Sequence, residues 1–137
     1  MLCGRLEAHH DGWISLAFSR TPGMIGAEAI IALPYADTVL KYNMFGYDEV
    51  VPMSDERQTL TNTYIEEEED GRAIMGFTKF LVEDGEIPIE EEGANIFLYA
   101  GTNAHAIAND RGAFDRRAYL HTHLRGSHPA RPPPVLP

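Results

Sequence analysis

The stretch Asp11-Gly-Trp-Ile-Ser-Leu-Ala-Phe-Ser19, followed by Pro22-Gly-Met-Ile-Gly-Ala-Glu-Ala-Ile-Ile-Ala32, decides how this chain folds. Its first apolar run is short and lies between Asp-Gly and Thr-Pro-Gly turn signals, which predicts a strand. The second run, residues 27–33, is stopped by Pro34 and is too short for a comfortable helix, so it predicts another strand. Met24 lies in the glycine-flanked turn between them, where its thioether is either core filler or a soft axial ligand of a metal.

Similar short runs follow along the rest of the chain. The firmest local prediction is a hairpin, in which residues 58–65 and 72–80 flank an acidic turn that ends in Asp70-Gly71. Further strands are predicted at residues 39–45, 95–100 and 120–124, and the strand at 95–100 is apolar on both faces, as in strands covered on both sides. Short strands separated by Gly, Pro and acidic turns, without sustained helical periodicity, predict an all-β, antiparallel β-sandwich.

The length of 137 residues suits one domain with one core. We expect residues 1–125 to form the sandwich and the proline-rich residues 126–137 to form an extended tail or linker. No run approaches the ~20 apolar residues of a membrane span. The first ten residues lack the apolar centre of a signal peptide, which predicts either a cytosolic protein or a piece of a longer one. Cys3 is the only cysteine and forms no internal disulfide.

The formal net charge of −10 is unevenly distributed. Residues 48–92 contain fifteen acidic and three basic side chains, whereas residues 105–137 contain two acidic side chains and five arginines. A surface this acidic repels nucleic acid and anionic lipid and favours basic partners. Most of these carboxylates are expected to form a solvated face.

Common enzyme signatures are missing from the sequence, which has no glycine-rich phosphate loop, no Gly-x-Ser-x-Gly, no Cys-x-x-Cys and no His-Glu-x-x-His. His121 and His123 share one face of the last predicted strand, and two imidazoles placed so suit zinc or copper. His105 or the His9-His10 pair would supply a third ligand. The alternative is that His121 and His123 are solvent-facing residues of a terminal strand.

A second kind of metal site combines Met24 with a histidine from the other half of the chain. Methionine and histidine together occupy both axial positions of a haem iron, which leaves no open position for oxygen and suits one-electron transfer at raised potential. Composition alone favours core filler for a methionine beside a strand.

The sequence around Met24 resembles the opening of the DOMON family, named for the N-terminal domain of dopamine β-monooxygenase. The resemblance covers residues 2–124 and rests on five blocks in family order. These are Asp11-Gly-Trp-Ile-Ser-Leu-Ala-Phe-Ser19 with Gly23-Met-Ile-Gly-Ala-Glu-Ala29, Val39-Leu-Lys-Tyr-Asn43, Asp70-Gly-Arg-Ala-Ile-Met-Gly-Phe-Thr-Lys-Phe-Leu81, Ile96-Phe-Leu-Tyr-Ala-Gly101 and Arg111-Gly112.

The resemblance implies an immunoglobulin-like β-sandwich of about ten strands that holds a b-type haem between a methionine and a histidine. The family methionine corresponds to Met24. His105, six residues before Arg111, is the nearest histidine to the position of the family histidine, and His121 and His123 are fallback ligands if the last strand borders the Met24 loop. Four apolar side chains are expected to wall the pocket: Phe18, Ile25, Phe97 and Tyr99.

Family members commonly lie on the extracellular or lumenal side, where they exchange electrons with a fused dehydrogenase or a transmembrane cytochrome b. The resemblance therefore implies an electron-transfer domain with such a redox partner rather than a catalyst by itself. The alternative is a non-catalytic module without haem that binds a sugar, a phenol or another small ligand. Such a module would use exposed aromatic side chains, for which the candidates are Tyr35, Tyr42 and Tyr47.

Overall fold

The computed structural model describes residues 1–9, 12–46, 49–92, 95–101 and 120–125, with the backbone alone for Ala100 and for residues 120–125. These residues form nine strands and two short 3-10 turns, at Pro34–Ala36 and Asp55–Arg57. In chain order the strands are β1 (Leu2–Ala8), β2 (Ile14–Ser19), β3 (Glu28–Leu33), β4 (Thr38–Gly46), β5 (Glu49–Pro52), β6 (Thr61–Glu67), β7 (Ala73–Lys79), β8 (Ile96–Gly101) and β9 (Leu120–Arg125).

The strands form two antiparallel sheets. The four-stranded sheet has the order β6-β7-β1-β9, and the five-stranded sheet has the order β5-β4-β3-β2-β8. This arrangement confirms the predicted all-β, antiparallel class. The predicted hairpin is confirmed as β6 and β7, which pair from Thr61 with Thr78 to Glu67 with Ala73. The count of ten strands and the immunoglobulin-like topology stay predictions.

The main core lies between the two sheets. It forms because side chains alternate between the faces of a strand, so that every second residue of each strand reaches the same layer. In β2 these residues are Ile14, Leu16 and Phe18, each with at most 2% of its surface exposed. The other sheet contributes Leu2, Leu6 and Ala8 from β1 and Ala73, Met75 and Phe77 from β7. Burial of each large side chain in this layer contributes roughly 1.5–3 kcal/mol to folding.

The five-stranded sheet is also apolar on its other side, which we call the outer face. Its fully buried members are Trp13, Ala17, Ala27, Ala29, Ile31, Tyr42 and Met44. An antiparallel sheet of a small domain commonly has one face packed and the other solvated. Two apolar faces therefore mark this sheet as one with a second packing surface in addition to the inter-sheet core.

Two strands were absent from the sequence-based prediction. β1 has inward residues at Leu2, Gly4, Leu6 and Ala8 and more exposed residues between them, an alternation that the sequence itself contains. β5 is a four-residue edge strand with Glu49 and Pro52 at its ends, which gives no strand signal. The proline-rich residues 126–137 lie outside the described residues, so the tail and the domain boundary stay predictions.

Candidate functional site

The Met24 loop, residues 20–27, connects β2 to β3 and is held against β4. The Gly26 N–H donates to the Met44 carbonyl at 2.7 Å, and the Ala27 N–H donates to the Met24 carbonyl at 3.1 Å. Gly26 has a φ of +85°, a left-handed conformation that glycine adopts without steric cost. The loop therefore closes in a turn directly after Met24 and is attached to the neighbouring strand.

The beginning of the same loop is also fixed. The Ser19 hydroxyl donates to the Thr21 carbonyl at 2.7 Å and accepts the Thr21 N–H at 3.2 Å. A serine side chain that bonds its own backbone two residues on is a common way to start a turn. Hydrogen bonds at both ends hold the backbone that carries Met24.

The Met24 side chain packs at the border of the outer face. It is half-buried and contacts the cluster formed by Trp13, Ala17 and the other outer-face residues. The partly buried residues that complete this cluster are Leu33, Leu40, Val50 and Leu98. None of the side chains in the cluster carries a charge. A thioether thus adjoins an extended, uncharged surface.

The three smallest side chains of the outer face are alanines, and they lie next to one another. Ala17 and Ala29 are paired across β2 and β3, and Ala27 precedes Ala29 on the same face. Each of the three is at most 3% exposed, so this part of the outer face is buried within the chain.

The structure separates three of the predicted wall residues from Met24. Phe18 and Tyr99 pack in the inter-sheet core. Phe97 is the register partner of Phe18, and their ring centroids lie 5.5 Å apart at 75°. The three rings thus lie on the side of the sheet opposite the outer face, because paired residues share a face and side chains alternate along β8. The apolar side chains on the side of Met24 are those of the outer face instead.

Ile25 and the tyrosines proposed for ligand binding differ in how far they are exposed to solvent. Ile25, next to Met24, is 54% exposed. The prediction that Tyr42 is exposed is wrong, since Tyr42 is 7% exposed and belongs to the outer face. Burial raises the pKa of the Tyr42 phenol, and the nearby Tyr35 makes a smaller contribution in the same direction. Tyr35 is 65% exposed, as predicted, and Tyr47 lies outside the described residues.

The predicted histidine ligands are not brought to Met24 by the described part of the chain. His105 lies outside the described residues. The backbone register of β9 places residues 121 and 123 opposite Glu7 and Arg5 in the four-stranded sheet. The Met24 loop connects two strands of the five-stranded sheet, whereas β9 belongs to the four-stranded sheet. The fallback role of His121 and His123 requires the last strand to border the Met24 loop, and it stays a prediction.

No group of three or more His, Cys, Asp or Glu side chains suited to a metal ion occurs among the residues that the structure describes. His9 lies directly after β1 and is exposed, while His10 lies outside the described residues. The zinc or copper site therefore stays a prediction that rests on sequence spacing.

A buried group of charges, which the sequence-based prediction missed, lies at one end of the inter-sheet core. We call it the lysine cluster: Lys41, Lys79, Glu83 and Glu86. The Lys41 and Lys79 side chains are 1% and 4% exposed. Its sequence signal is the inward position of both lysines, since Lys41 follows the inward Val39 by two residues and Lys79 follows the inward Phe77 by two.

Each charge of the lysine cluster has several partners. The Lys41 ammonium lies 2.9 and 3.0 Å from the two Glu86 oxygens, 3.2 and 3.3 Å from those of Glu83, and 2.9 Å from the Thr59 hydroxyl. Lys79 pairs with Glu83 and lies 3.2 Å from Glu86. Burial acts to raise the pKa of Glu83, but its hydrogen bonds to Lys79 and Thr59 outweigh burial and lower that pKa below its ordinary value. The cluster is a closed, balanced set of two cations and two anions.

Comparison of the chain with models of protein families, with curated proteins and with solved structures found no match. In the described part of the chain no helix has the length and apolar character needed to cross a membrane.

Proposed function

We propose that this domain binds haem b and transfers single electrons, with Met24 as one axial ligand and His105 as the other. The observation that carries the proposal is the position of Met24 at the border of an uncharged outer face that the other sheet does not use. The resemblance of the Met24 stretch to the DOMON family supports the same assignment. A haem ligated on both sides supplies reversible one-electron chemistry without an open position for oxygen.

The chain's own residues have three tasks in this proposal. The bonds from Gly26 to Met44 and within Ser19–Thr21 hold the backbone of the loop that carries Met24. The outer-face alanines, each at most 3% exposed, would contact a flat ring only after the groups that bury them move aside, and the large residues Trp13, Ile31 and Tyr42 would exclude water from it. A low-dielectric surround of this kind helps set the reduction potential of such a centre.

The proposed setting follows from the same resemblance. We infer that the electron partner is a fused dehydrogenase or a transmembrane cytochrome b and that the domain acts on the extracellular or lumenal side. The net charge of −10 supports a contact surface of the opposite sign on that partner.

Absorbance of the purified protein tests the proposal most directly. The full chain is expressed with a haem supply, and the expected result is a split, low-spin spectrum with a sharp Soret band and an α band on reduction. Apomyoglobin, treated with the same haemin, serves as the positive control for haem uptake. A colourless protein that takes up no added haemin would refute haem binding.

The second candidate is a non-catalytic module on the same sandwich that binds a small ligand without haem. The observation that favours it is the 65% exposure of Tyr35, whose ring is available for stacking on a sugar or a phenol. A glycan array and a phenolic ligand set, measured on the colourless protein, test this function. Loss of the binding signal in Tyr35→Ala, with Tyr64→Ala unchanged, is the expected result.

A further inference from the structure

The segment of residues 80–89, which we call the strap, follows β7 and closes one end of the inter-sheet core. It contains no strand or helix, but two of its own backbone bonds shape it: Glu86 N–H to the Glu83 carbonyl at 3.1 Å and Ile89 N–H to the Leu81 carbonyl at 2.8 Å. Ile89 is 5% exposed and packs in the inter-sheet core. The strap is therefore a folded loop with an apolar anchor at its end.

Apolar packing holds the rest of the strap only weakly. Phe80 is 48% exposed and Val82 is 74% exposed, while Leu81 is only partly buried against the core. By contrast, two of the three acids of the strap point inward, since the Glu83 and Glu86 side chains are 10% and 3% exposed, whereas Asp84 is exposed. The strap is thus attached mainly by the carboxylates of the lysine cluster.

Both cations of that cluster belong to the sheets and not to the strap. Lys41 lies in β4 of the five-stranded sheet, and Lys79 is the last residue of β7 in the four-stranded sheet. Loss of charge on Glu83 and Glu86 would leave two buried ammonium groups without counter-charges. A buried ion that loses its partner is strongly unfavourable, and the simplest relief is to admit water by displacing the strap.

We propose that the strap is an acid-released closure: it seals the end of the inter-sheet core at neutral pH, and it opens as a unit when acid removes the charge of Glu83, before the two sheets unfold. The inference is independent of haem binding, because none of the residues that carry it belongs to the outer face or to the Met24 loop.

Other charged groups face the cluster and set the order of protonation. Glu28, the first residue of β3, accepts the Ile87 N–H of the strap. Burial raises the pKa of Glu28, the bond from Ile87 opposes this change, and the charge of Glu86 adds to it. Arg57 lies on the outside, where its guanidinium donates to the Asp84 carbonyl at 3.3 Å. Glu28 therefore takes up its proton before Glu83 does, and because this removes a buried charge it favours the closed strap; release follows only when Glu83 is protonated.

Hydrogen exchange of the full chain, measured by mass spectrometry at half-unit steps from pH 7 to pH 3 and corrected for intrinsic exchange rates, tests the proposal. The Glu86 and Ile89 amides report on the strap, and the amides of β7 report on the sheet. Protection of the strap is expected to fall on the order of tenfold as the pH drops through the lowered pKa of Glu83, while β7 stays protected. Unchanged strap protection would overturn the proposal, and so would simultaneous loss in the strap and β7, which would show global unfolding.

Three variants at pH 7 separate charge loss from other effects of acid. Glu86→Gln should open the strap, whereas Glu91→Gln, on an exposed side chain, should leave its exchange unchanged. The double variant Lys41→Met with Glu86→Gln removes a matched pair and should restore much of the protection. Failure of Glu86→Gln to raise strap exchange would contradict the proposal; if that variant does not fold, the pH series on the unaltered chain decides.

Discussion

The Tyr64 ring lies directly over Gly76 across the β6–β7 hairpin and occupies the space that a side chain at residue 76 would need. The two residues are register partners, and Tyr64 is 39% exposed. An aromatic ring that covers a glycine of the neighbouring strand compensates for the missing side chain. This pair contributes to fixing the register next to the bulge between Thr61 and Tyr64.

We expect Gly76→Ala to lower the free energy of unfolding by about 1–3 kcal/mol, because the new methyl group collides with the Tyr64 ring. Urea unfolding followed by tryptophan fluorescence measures the effect. Gly23→Ala is the matched control, since nothing lies within 4 Å of a methyl group there. Equal stability of the two variants would contradict the close approach of Tyr64.

Lys41→Met should destabilise the domain by about 3 kcal/mol, because two buried carboxylates would share the single ammonium of Lys79. The measurement is the midpoint and slope of a urea unfolding curve at pH 7. Arg20→Met, at an exposed residue, should change stability by less than about 0.5 kcal/mol. A similarly small effect of Lys41→Met would show that the cluster contributes little to stability.

Glu83 and Glu28 should give stability opposite dependences on pH. The pKa of Glu83 is lowered on folding, so its contribution is present above its ordinary value of 4.5 and is lost as the pH falls through the lower, folded value. The pKa of Glu28 is raised on folding, so its contribution is present below 4.5 and is lost as the pH rises through the higher, folded value.

Glu28→Gln should therefore gain stability relative to the unaltered protein between pH 5 and pH 7, since the amide still accepts the Ile87 N–H but carries no buried charge. Unfolding curves at half-unit pH steps measure this difference. A constant difference between the two proteins across the range would show that the pKa of Glu28 is not raised in the folded state.

If Met24 is an axial ligand, Met24→Ala should lower the reduction potential or free an axial position that binds carbon monoxide in the reduced state. Redox titration and the carbon monoxide difference spectrum measure these effects. Met53→Leu removes a thioether that is buried outside the outer face and should leave both unchanged. An unaltered spectrum and potential in Met24→Ala would exclude Met24 as a ligand.

If haem binds at the outer face, Ala29→Leu should weaken its uptake by about tenfold or more, because the larger side chain takes up space beside Ala17. Titration with haemin at the Soret maximum measures affinity, and circular dichroism checks that the sheets are intact. Ala36→Leu, at an exposed residue of the first 3-10 turn, serves as the control. Normal uptake in Ala29→Leu would place any haem site away from this face.

Most of the strands could be predicted from the sequence, because turn residues bracket them. Gly and Pro delimit the runs that became β2, β3 and β4, and the Asp70-Gly71 turn sets the β6–β7 hairpin. β1 was overlooked although Leu2, Gly4, Leu6 and Ala8 alternate with more exposed residues. The glycine at position 4 obscures the period of two, because it adds no apolar side chain to the inward face.

The site was predictable only in part, because sequence spacing does not tell which side of a sheet meets the second sheet. Met24 was correctly predicted in the turn between two strands, but Phe18, Phe97 and Tyr99 were assigned to its pocket and lie on the opposite face. Side-chain alternation predicts which residues of one strand share a face. Met24 lies in a loop, and the side of the sheet on which that loop lies depends on its hydrogen bond to Met44 of β4. Tyr42 was expected to be exposed for the same reason, since the second apolar face became evident only from all five strands together.

The central position of β1 has a consequence for how the domain folds. Leu2 pairs with Lys79 in β7, and Cys3 pairs with Arg125 in β9. Contacts between residues so distant in sequence close large loops, and the chain loses this conformational entropy before the stabilising contacts are complete. Such topologies therefore fold slowly, in milliseconds to seconds. The first strand gains its second neighbour only after residues 120–125 have been synthesised. Until then one edge of β1 has no strand paired with it. We therefore expect that release of an incomplete chain favours aggregation through β1.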